Sequence, residues 1–480
     1  MKMKKKIKVF VSGNFNILHP GHLRLLRFAK GRGDHLIVGV NSDKIAGSNA
    51  HVPENWRLEG IKSNNWVDKA FLITKPLDQI IKKIKPDIIV KGKEYENQNN
   101  QEQSPLQSYG GRLIFSSGEI AFSSYDLIQK EFEKSNLKSI NIPKNYLRRH
   151  SINNKKLISI LKKMSKLKVV VIGDLIIDKY ISCQPLGMSQ EDPSIVITPI
   201  DTKQFVGGAG IVSIHAAGLG AKVNFFSISG NDEYRSYAKK QLKLNNVNAK
   251  LFIDTSRPTT VKTRYRSNEK TLLRISNLYQ VSISKSLQKI IYNEVKKLIK
   301  NANLIVFSDF NYGCLPQSLV DKIISLCKGR NVMLVADSQS SSQNGNICRY
   351  KKMDLITPTE REARLATQNY EDGLIVLARC LKKDSEAKNS IIKLGPEGLL
   401  IGAENKKTRE IDIDKISALN TVPKDIIGAG DSMFISSAMS MAVGGDIWES
   451  ALIGSLAAAI QVSRLGNVPL QLNELLQEIK

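Results

Sequence analysis

The sequence predicts a two-domain α/β protein from its length, its alternation of strands with helices, and a second start in mid-chain. At 480 residues, the chain has room for two or three domains of about 150 residues each. Short β-branched runs alternate with helical stretches, a pattern typical of βαβ units around a parallel sheet. We therefore predict one domain over 1–143, a basic linker with one short amphipathic helix over 144–166, and a second domain over 167–480.

The composition favours a folded protein of the cytoplasm without a membrane partner. Hydrophobic residues make up 41% and charged residues 24%, which are ordinary values for a globular chain. No apolar run reaches the about 18 residues that span a bilayer. The basic N-terminus leads into an apolar run that stops at Gly13, which indicates a first strand and not a signal peptide. The five cysteines are scattered without CxxC spacing, which indicates reduced thiols.

The chain is strongly basic, with 71 Lys and Arg against 45 Asp and Glu and a formal net charge of +26. Such an excess occurs in proteins that bind nucleic acid or an anionic surface. It also arises from a Lys-rich composition combined with phosphate-bearing small substrates. Because the lysines are spread along the whole chain, we predict no specific nucleic-acid partner and keep a polyanion partner as the alternative.

A first chemical site is predicted after the first of five β-branched runs in the N-terminal domain. His19-Pro20-Gly21-His22 follows this run at the start of a helical pattern. A helix N-terminus offers free N–H groups and partial positive charge to phosphates, and two imidazoles can add further donors. Capping and packing by the histidines is the alternative interpretation. The five predicted strands are 7–13, 35–42, 69–73, 87–92 and 112–117.

The surrounding segments resemble the H-x-G-H nucleotidyltransferase superfamily in its cytidylyltransferase-like branch. The similar segments are GNFNILHPGH (13–22), GDHLIVGVNSD (33–43) and KPDIIVKGKEY (85–95). The resemblance covers about residues 7–130 and implies a Rossmann-like domain, although Asn16 stands where the family has Asp. It implies α-phosphate stabilisation by His19 and His22, a nucleotide site with Asn14, Phe15 and Gly21, a substrate-phosphate contact from Lys91, and triphosphate contacts from Ser123 and Ser124, for which N-capping is the alternative.

A second chemical site is predicted at Gly428-Ala429-Gly430-Asp431, late in the C-terminal domain. This domain opens with LKVVVIGDLIIDKY (167–180), which predicts a strand that runs into a turn. The Gly-Ala-Gly turn opens a helix and exposes consecutive N–H groups as an anion hole. A carboxylate directly after it can accept a proton from a hydroxyl, as phosphoryl transfer to an alcohol requires. A glycine-rich helix start without a ligand is the alternative. Further strands are predicted within 304–310, 332–338, 354–360 and 390–402.

The C-terminal domain resembles the ribokinase-like, PfkB-type carbohydrate kinases. The similar segments are GDLIIDKY (173–180), VGGAGIVSIHAAGLG (206–220), TPTEREA (357–363) and KLGPEGLL (393–400). The resemblance implies an α/β/α sandwich with a small lid, and ATP as the phosphoryl donor. It departs from the family at Ile211, Tyr312 and Thr359. It implies Asp431 as the base, Asp178, Gly207, Gly208 and Asp309 at the substrate, Glu362 organising Mg²⁺ through water, and Gly395, Gly398, Gly428, Ala429 and Gly430 at the nucleotide.

Together the halves resemble the bifunctional heptose 7-phosphate kinase/heptose 1-phosphate adenylyltransferases, with the domain order reversed. Residues 260–276 resemble the lid of that family and place Lys262, Arg264 and Arg274 near a substrate phosphate. Basic side chains suit such a substrate, because Arg binds phosphate bidentately. The resemblance implies a sugar phosphate and a nucleoside triphosphate as substrates, ADP-heptose formation for lipopolysaccharide, and a homodimer. The alternatives are the same chemistries on another sugar phosphate, or one domain that is inactive and regulatory.

Overall fold

Parallel sheets organise two separate units of the chain in the computed structural model. The first unit consists of Met1–Leu137 with Asn369–Leu377, and the second of Lys138–Gln368 with Ala378–Lys480. Both are α/β folds, so the predicted fold class is confirmed. The structure describes residues 6–16, 18, 20–47, 50, 52–92, 95, 100–115, 140–267, 270–339, 345–405 and 410–479.

All five strands predicted for the first domain are present in its sheet. The strands are Lys8–Gly13 (β1), His35–Asn41 (β2), Lys69–Ile73 (β3), Ile88–Lys91 (β4) and Arg112–Phe115 (β5). The described helices of this part of the chain are Pro20–Lys30 (α1), Asp43–Ala46 (α2), Glu54–Lys62 (α3), Leu77–Ile84 (α4) and Gln103–Gln107 (α5).

The first sheet is parallel throughout and has the order β3-β2-β1-β4-β5. Alternate residues of β1 face opposite sides, so Val9 and Val11 enter one apolar cluster and Phe10 enters another. Such burial on both faces is typical of a parallel sheet between helices. The strand order reverses between β1 and β4, and ligands of open α/β sheets bind at such a position. The helix α1 begins there, which places Gly21 and His22 of the predicted motif at the switch point.

A nine-stranded sheet forms the centre of the second unit, with the order β10-β9-β6-β13-β14-β15-β16-β17-β18. Its last two pairings are antiparallel and the others are parallel. The strands are Lys168–Gly173 (β6), Lys222–Ser229 (β9), Val247–Ile253 (β10), Leu304–Asp309 (β13), Met333–Ser338 (β14), Leu355–Ile356 (β15), Asn389–Lys393 (β16), Leu399–Glu404 (β17) and Ile411–Ile416 (β18).

A four-stranded sheet with the order β12-β11-β7-β8 forms the predicted lid. The prediction of a turn after β6, the first strand of this unit, is wrong. Asp174 alone separates β6 from β7. The strand β7 then pairs on both sides, antiparallel with β8 and parallel with β11. The lid strands are Leu175–Met188 (β7), Ile195–Gly208 (β8), Val261–Ser267 (β11) and Lys270–Asn277 (β12).

The helices from residue 144 onward include two that the structure finds in the predicted linker. Short 3₁₀ turns also occur at Ile299–Asn301, Ile347–Arg349 and Gly395–Glu397. The helices are Lys144–Arg149 (α6), Asn154–Met164 (α7), Ala209–Gly218 (α8), Glu233–Leu244 (α9), Lys285–Leu298 (α10), Gln317–Cys327 (α11), Glu360–Thr367 (α12), Leu374–Ser385 (α13), Ala429–Ala442 (α14), Ile447–Val462 (α15) and Leu472–Ile479 (α16).

Residues 144–166, the predicted basic linker with its helix, pack onto the second unit. The amphipathic helix is confirmed as α7, and its apolar residues Leu157, Ile160, Leu161 and Met164 lie in the core of this unit. In addition, the His150 ring stacks on Trp448 with 4.2 Å between ring centroids. The physical reason is the apolar stripe, which costs free energy unless another surface covers it.

No helix in the described ranges combines the length and the hydropathy needed to cross a bilayer.

Candidate active sites

The predicted anion hole lies at the N-terminus of α14. Gly428 is its N-cap and has a φ of +77°, a conformation that favours glycine. A Cβ at this position would lie 2.2 Å from Asn467 Oδ1, so the glycine also leaves room for that side chain. The first N–H groups of a helix have no partner within it and carry partial positive charge. This turn can therefore bind an anion.

Asp431 lies in the first turn of α14 and is 8% exposed. Gln339 Nε2 donates a hydrogen bond to Asp431 Oδ1 at 3.0 Å. Burial, together with the charge of Asp337, raises the pKa of Asp431 to about 7, although Lys393 opposes this shift. A carboxylate with a pKa near neutrality suits a general base, because it can accept a proton and release it again.

A buried ion pair that the sequence analysis missed lies beside Asp431. Lys393 Nζ donates to Asp337 Oδ1 at 2.8 Å, and Thr357 Oγ1 donates to the same oxygen at 2.9 Å. Asp337 is in β14, Lys393 ends β16, and Thr357 follows β15. The sequence did offer one signal for these residues, which is that each lies at or just after the end of a predicted strand. The carboxyl ends of neighbouring parallel strands meet at one edge of a sheet.

The predicted substrate residues Asp178 and Arg264 form an ion pair with each other. Arg264 Nη1 donates to Asp178 Oδ1, and Asn467 Nδ2 donates to Asp178 Oδ2 at 3.1 Å. A Cβ on Gly207 would lie 2.2 Å from Asp178 Oδ2, so this glycine makes room for the carboxylate. Asn467 is another residue that sequence analysis missed. Its amide contacts Asp178 and lies next to Gly428. Gly208 makes a positive-φ turn at the start of α8, with a φ of +60°.

Lys262 belongs to the same site as Asp178 and Asp431. The charge of Asp178 raises the pKa of Asp431 and that of Lys262 lowers it, which requires the three groups to be near one another. The Lys262 ammonium lies 5.2 Å from the ring centroids of both Phe310 and Tyr312. Tyr312 replaces a lysine of the resembled family, and here its ring faces a lysine from the lid.

A strongly basic cleft of about 540 Å³ adjoins the loop that leads into α14. Arg264 and Arg274 are directly opposite each other on β11 and β12. Like charges in such positions repel each other. Arg264 is paired with Asp178, and an anion could bind beside Arg274. Arg266 and Lys424 are cations of the cleft that the sequence analysis did not select. The lining includes Arg264, Arg266, Thr271, Arg274, Lys424 and Asp425.

Asp309 is 1% exposed and is held by protein groups. Arg349 Nη2 donates to its Oδ2 at 2.7 Å, and the Asn311 backbone N–H donates to its Oδ1 at 2.9 Å. The neighbouring Asp174 accepts backbone hydrogen bonds from Phe310, Tyr312 and Cys314. These acids hold the loop that carries the two aromatic rings, and a direct contact of Asp309 with substrate stays a prediction.

Glu362 is the predicted magnesium residue and closes a capping box at the start of α12. Its Oε2 accepts the Thr359 backbone N–H at 2.7 Å, and its own N–H donates to Thr359 Oγ1. Among the described residues, no group of three or more His, Cys, Asp or Glu is placed to hold a metal. Mg²⁺ usually keeps several waters and binds substrate phosphates with one or two carboxylates. Glu362 lies near enough to Lys393 to raise its pKa, and a contact of Glu362 with Mg²⁺ through water stays a prediction.

The predicted nucleotide glycines Gly395 and Gly398 lie in the turn between β16 and β17. Both have positive φ, at +62° and +94°. A Cβ on Gly398 would lie 2.0 Å from the Ile416 carbonyl oxygen, whereas one on Gly395 would meet nothing within 4 Å. Gly398 therefore lets the neighbouring chain approach, and a nucleotide contact for both stays a prediction.

In the first unit, four predicted residues lie where β1 ends and α1 begins. Asn14 Oδ1 accepts a hydrogen bond from Asn41 Nδ2 at 2.7 Å. Phe15 has a φ of +50°, and its buried ring lies 5.0 Å from the ring of His22. Gly21 and His22 lie in the first turn of α1. The predicted residues His19, Ser123 and Ser124 lie outside the described residues.

Two cations of the first unit are paired with protein groups. Arg57 is 2% exposed and donates to the carbonyls of Val52, Asn14 and Asn41 and to Asp43 Oδ1. It therefore fastens the ends of β1 and β2. Lys91 Nζ lies 2.9 Å from Glu102 Oε1. Its predicted contact with a substrate phosphate stays a prediction, and that phosphate would compete with a buried carboxylate.

Comparisons with known families match both halves of the chain. Residues 166–471 match the family model described as pfkB family carbohydrate kinase, and residues 10–142 match the one described as cytidylyltransferase-like. The first match covers more than half of the chain. The two resemblances seen in the sequence, and their order, are confirmed.

Curated relatives include two named bifunctional protein HldE. That of Sulfurimonas denitrificans is 30% identical over 319 residues, which cover 64% of this chain and 63% of the relative. That of Helicobacter hepaticus is 29% identical over 321 residues, which cover 65% of this chain and 64% of the relative. The chain thus matches less than two thirds of the length of these proteins.

Solved structures with a similar fold include two sugar kinases. Phosphofructokinase-2 of Escherichia coli, solved with substrates and products, has a TM-score of 0.53 at 14% identity and covers 65% of this chain and 98% of its own. Ribokinase of Arabidopsis thaliana, solved with ribose and ATP, has a TM-score of 0.51 at 17% identity, with coverages of 65% and 98%. These likenesses show a ribokinase-like fold.

Proposed function

Because this chain belongs to the pfkB family of carbohydrate kinases, we propose that its second unit transfers the γ-phosphoryl group of ATP to a hydroxyl of a phosphorylated sugar. The proposal rests on two features that lie next to each other. Asp431 and the anion hole of α14 adjoin the arginine-lined cleft along the loop 425–427. The first feature suits the transfer and the second suits a phosphate already on the substrate.

The proposed transfer uses the groups around Asp431. Asp178 and Asn467 accept and donate hydrogen bonds at the substrate hydroxyls, and Asp431 takes the proton of the attacking hydroxyl. The new bond joins that oxygen to the γ-phosphorus, the bond to the β-phosphate oxygen breaks, and ADP leaves. The N–H groups at the start of α14 stabilise the charge on the transferred group. Glu362 would hold Mg²⁺ through water, and the metal would neutralise charge on the phosphates of ATP.

We further propose heptose 7-phosphate as the sugar and the anomeric hydroxyl as the acceptor. The support is the similarity of residues 260–276 to the lid of the heptose 7-phosphate kinases, together with the cations that this hairpin contributes to the cleft. Another sugar phosphate would use the same groups, because the cleft recognises the phosphate. The site would operate in the cytoplasm, where ATP and sugar phosphates are available.

We infer nucleotidyl transfer to a sugar 1-phosphate for the first unit. Its cytidylyltransferase-like sequence match and the location of His22 at the switch point of a parallel sheet support this activity. The sugar phosphate oxygen would attack the α-phosphorus of a nucleoside triphosphate, and pyrophosphate would leave. By the resemblance the nucleotide is ATP, and the product is then ADP-heptose.

The test is a product analysis with the purified full chain. We expect ATP and heptose 7-phosphate to give a bisphosphate, and the unphosphorylated heptose to give none. Arg274→Gln should raise the KM for the sugar phosphate at least tenfold, which corresponds to about 1.4 kcal/mol, whereas Lys270→Gln in the same hairpin should not. In a second assay, pyrophosphate release with sugar 1-phosphate is compared between ATP and CTP. Equal use of phosphorylated and unphosphorylated sugars would contradict the assignment of the cleft.

We also propose that the protein is a homodimer that buries the exposed face of the lid. Large apolar side chains are exposed on β7 and β8, which is unusual for a surface without a partner. Sedimentation of the full chain should give a dimer, and Ile200→Lys should give a monomer. A monomeric full chain would contradict this proposal. The exposed residues include Leu186, Met188, Ile195 and Ile200.

A further inference from the structure

We propose that Lys393 is a further catalytic residue of the kinase site, and that its ammonium group binds the transferring phosphoryl group of ATP. This inference rests on the proposed kinase function and adds a residue to it. The resemblance to known kinases assigns a nucleotide contact to the glycines of KLGPEG but nothing to its lysine.

The first support is the position of the Lys393 side chain against the anion hole. A Cβ on Gly430 would lie 3.5 Å from Lys393 Nζ and 3.6 Å from Cδ. The lysine side chain therefore runs along the face that Gly430 leaves open in the first turn of α14. Any group bound by the N–H donors of this turn lies within reach of the ammonium.

The second support is the hydrogen-bonding capacity of the ammonium group. Lys393 has a side chain that is 11% exposed, and in the described part of the chain its Nζ donates to Asp337. An ammonium group has three donors, so two are available for another acceptor. A cation in a buried position with unused donors is suited to an anionic ligand, since burial strengthens the electrostatic interaction.

The third support is the charge of the group. Burial lowers the pKa of Lys393, but the nearby carboxylates of Asp337, Glu362 and Asp431 outweigh it and raise the pKa above its usual value. The ammonium is therefore charged at neutral pH. A full positive charge next to the partial positive charge of a helix N-terminus would stabilise the charge on a phosphoryl group in flight.

The competing explanation is that Lys393 only neutralises the buried Asp337. Four variants distinguish the catalytic from the neutralising explanation: Lys393→Met, Asp337→Asn, the double variant, and Lys388→Met as a control. Lys388 is paired with Asp354 at 2.7 Å and lies just before β16, at the opposite end of the strand that Lys393 ends. The readouts are kcat for phosphoryl transfer, the affinities for ATP and ADP, and the thermal unfolding of each variant.

We expect Lys393→Met to lower kcat about 10²-fold, as the loss of one transition-state donor does. The double variant should stay as slow, and Asp337→Asn alone should lose less than about tenfold because the ammonium is retained. Lys388→Met should match the unmodified protein. If the double variant regains the rate of Asp337→Asn, the neutralising explanation holds and the proposal is wrong.

The binding measurements keep the test independent of the sugar. Lys393→Met should weaken ATP binding about tenfold more than ADP binding, because only ATP carries the transferred group. The double variant retains charge balance, so it gives this readout even if the single variant fails to fold. Equal losses for ATP and ADP would overturn the role of Lys393. If Lys393→Met weakens ATP binding more than ADP binding, but the unmodified protein does not phosphorylate the sugar, then the proposed sugar substrate is wrong and the role of Lys393 stands.

Discussion

At the residue scale, the candidate kinase site depends on the charges that surround Asp431. Its carboxylate is buried, is hydrogen-bonded by Gln339, and lies between the opposing charges of Asp337 and Lys393. Gly428 leaves room for Asn467 at the start of α14, and the Lys393 side chain lies against Gly430 in the first turn of this helix. Small changes of charge here should therefore alter rate and pH dependence more than stability.

The direct test of the base is Asp431→Asn, which keeps the size of the side chain and removes its ability to accept a proton. Phosphoryl transfer should fall by about 10²–10⁴-fold while ATP binding persists. Asp321→Asn, on the exposed surface of α11, is a matched control and should leave the rate of phosphoryl transfer unchanged. Near-normal turnover by Asp431→Asn would exclude it as the base.

The pH profile should show the raised pKa of Asp431. Burial and then Asp337 raise it to about 7, so the carboxylate is protonated below that pH and cannot act as a base. The rate at limiting ATP and sugar phosphate should rise with pH and level off above about 7. Asp337→Asn removes one cause of the shift and should move the acid limb to lower pH. An unmoved limb would show that Asp337 does not act on the base.

His215 should make the second unit sensitive to acid. Burial, and then the charge of Arg464, lowers the pKa of this fully buried histidine to about 3, while its Nδ1 accepts the Leu470 N–H at 3.0 Å. Below the unfolded pKa of about 6.5, the unfolded state gains a proton that the folded state excludes. The free energy of unfolding should therefore decrease by about 1.4 kcal/mol per pH unit between about 6.5 and 3.

The check is denaturant unfolding of the full chain at pH 7 and pH 5. His215→Asn keeps an acceptor for Leu470 and removes the titration, so its loss between the two pH values should be smaller than that of the unmodified protein. Equal losses would mean that His215 is not the acid-sensitive group.

At the element scale, the segment between the two predicted domains is part of the second unit. The helix α7 places four apolar side chains in the core of that unit, and Tyr146 of α6 donates its hydroxyl hydrogen to the Trp448 carbonyl at 2.9 Å. Arg149 adds a bidentate pair with Asp414. These contacts place the start of the second folding unit before residue 144.

Leu161→Ala tests this role of α7. Leu161 is fully buried, so its truncation should lower the free energy of unfolding of the kinase unit by about 2–5 kcal/mol. Lys162→Ala, the next residue on the exposed side of the same helix, should change it by less than about 0.5 kcal/mol. Thermal unfolding of the full chain measures both. If the two variants unfold alike, α7 is a linker and not a core element.

At the scale of the whole molecule, the chain joins two α/β units with their own sheets and cores. Each has its chemical groups at the carboxyl ends of parallel strands, where such folds bind ligands. The net charge of +26 is spread over both, and part of it is concentrated in the basic cleft of the second unit.

Substitution of both histidines of the first unit tests whether the two chemistries are separate. His19→Ala with His22→Ala should abolish nucleotidyl transfer, because both donors to the developing phosphate charge are lost. The kinase rate should stay within about twofold, since distant sites with no shared partners usually do not couple. Pyrophosphate release and sugar phosphorylation are measured on the same preparation. Loss of both activities in a folded protein would show coupling, and intact pyrophosphate release would show that the motif is structural.

The sequence by itself determined the fold class, the order of the two units and the chemical motifs, because these depend on local patterns. Short β-branched runs identified the strands around Val9 and Val169. The turn 428–431 indicated its anion hole, because glycines followed by an acid at a helix start have a local physical meaning. The same local reasoning identified the apolar stripe of α7, although it could not show which surface covers that stripe.

Only the tertiary structure decided which distant side chains share a site. Asp337 and Lys393 are 56 positions apart, and Asp178 and Asn467 are 289 apart, so no sequence window contains either pair. Asp337 and Lys393 meet because neighbouring strands of a parallel sheet end at one edge, whatever the length of the connection between them. Asp178 lies on the lid strand β7 and Asn467 lies between α15 and α16, so their contact depends on how these parts pack within the second unit. The pKa of Asp431 depends on those neighbours and on burial, and both exist only in the folded protein.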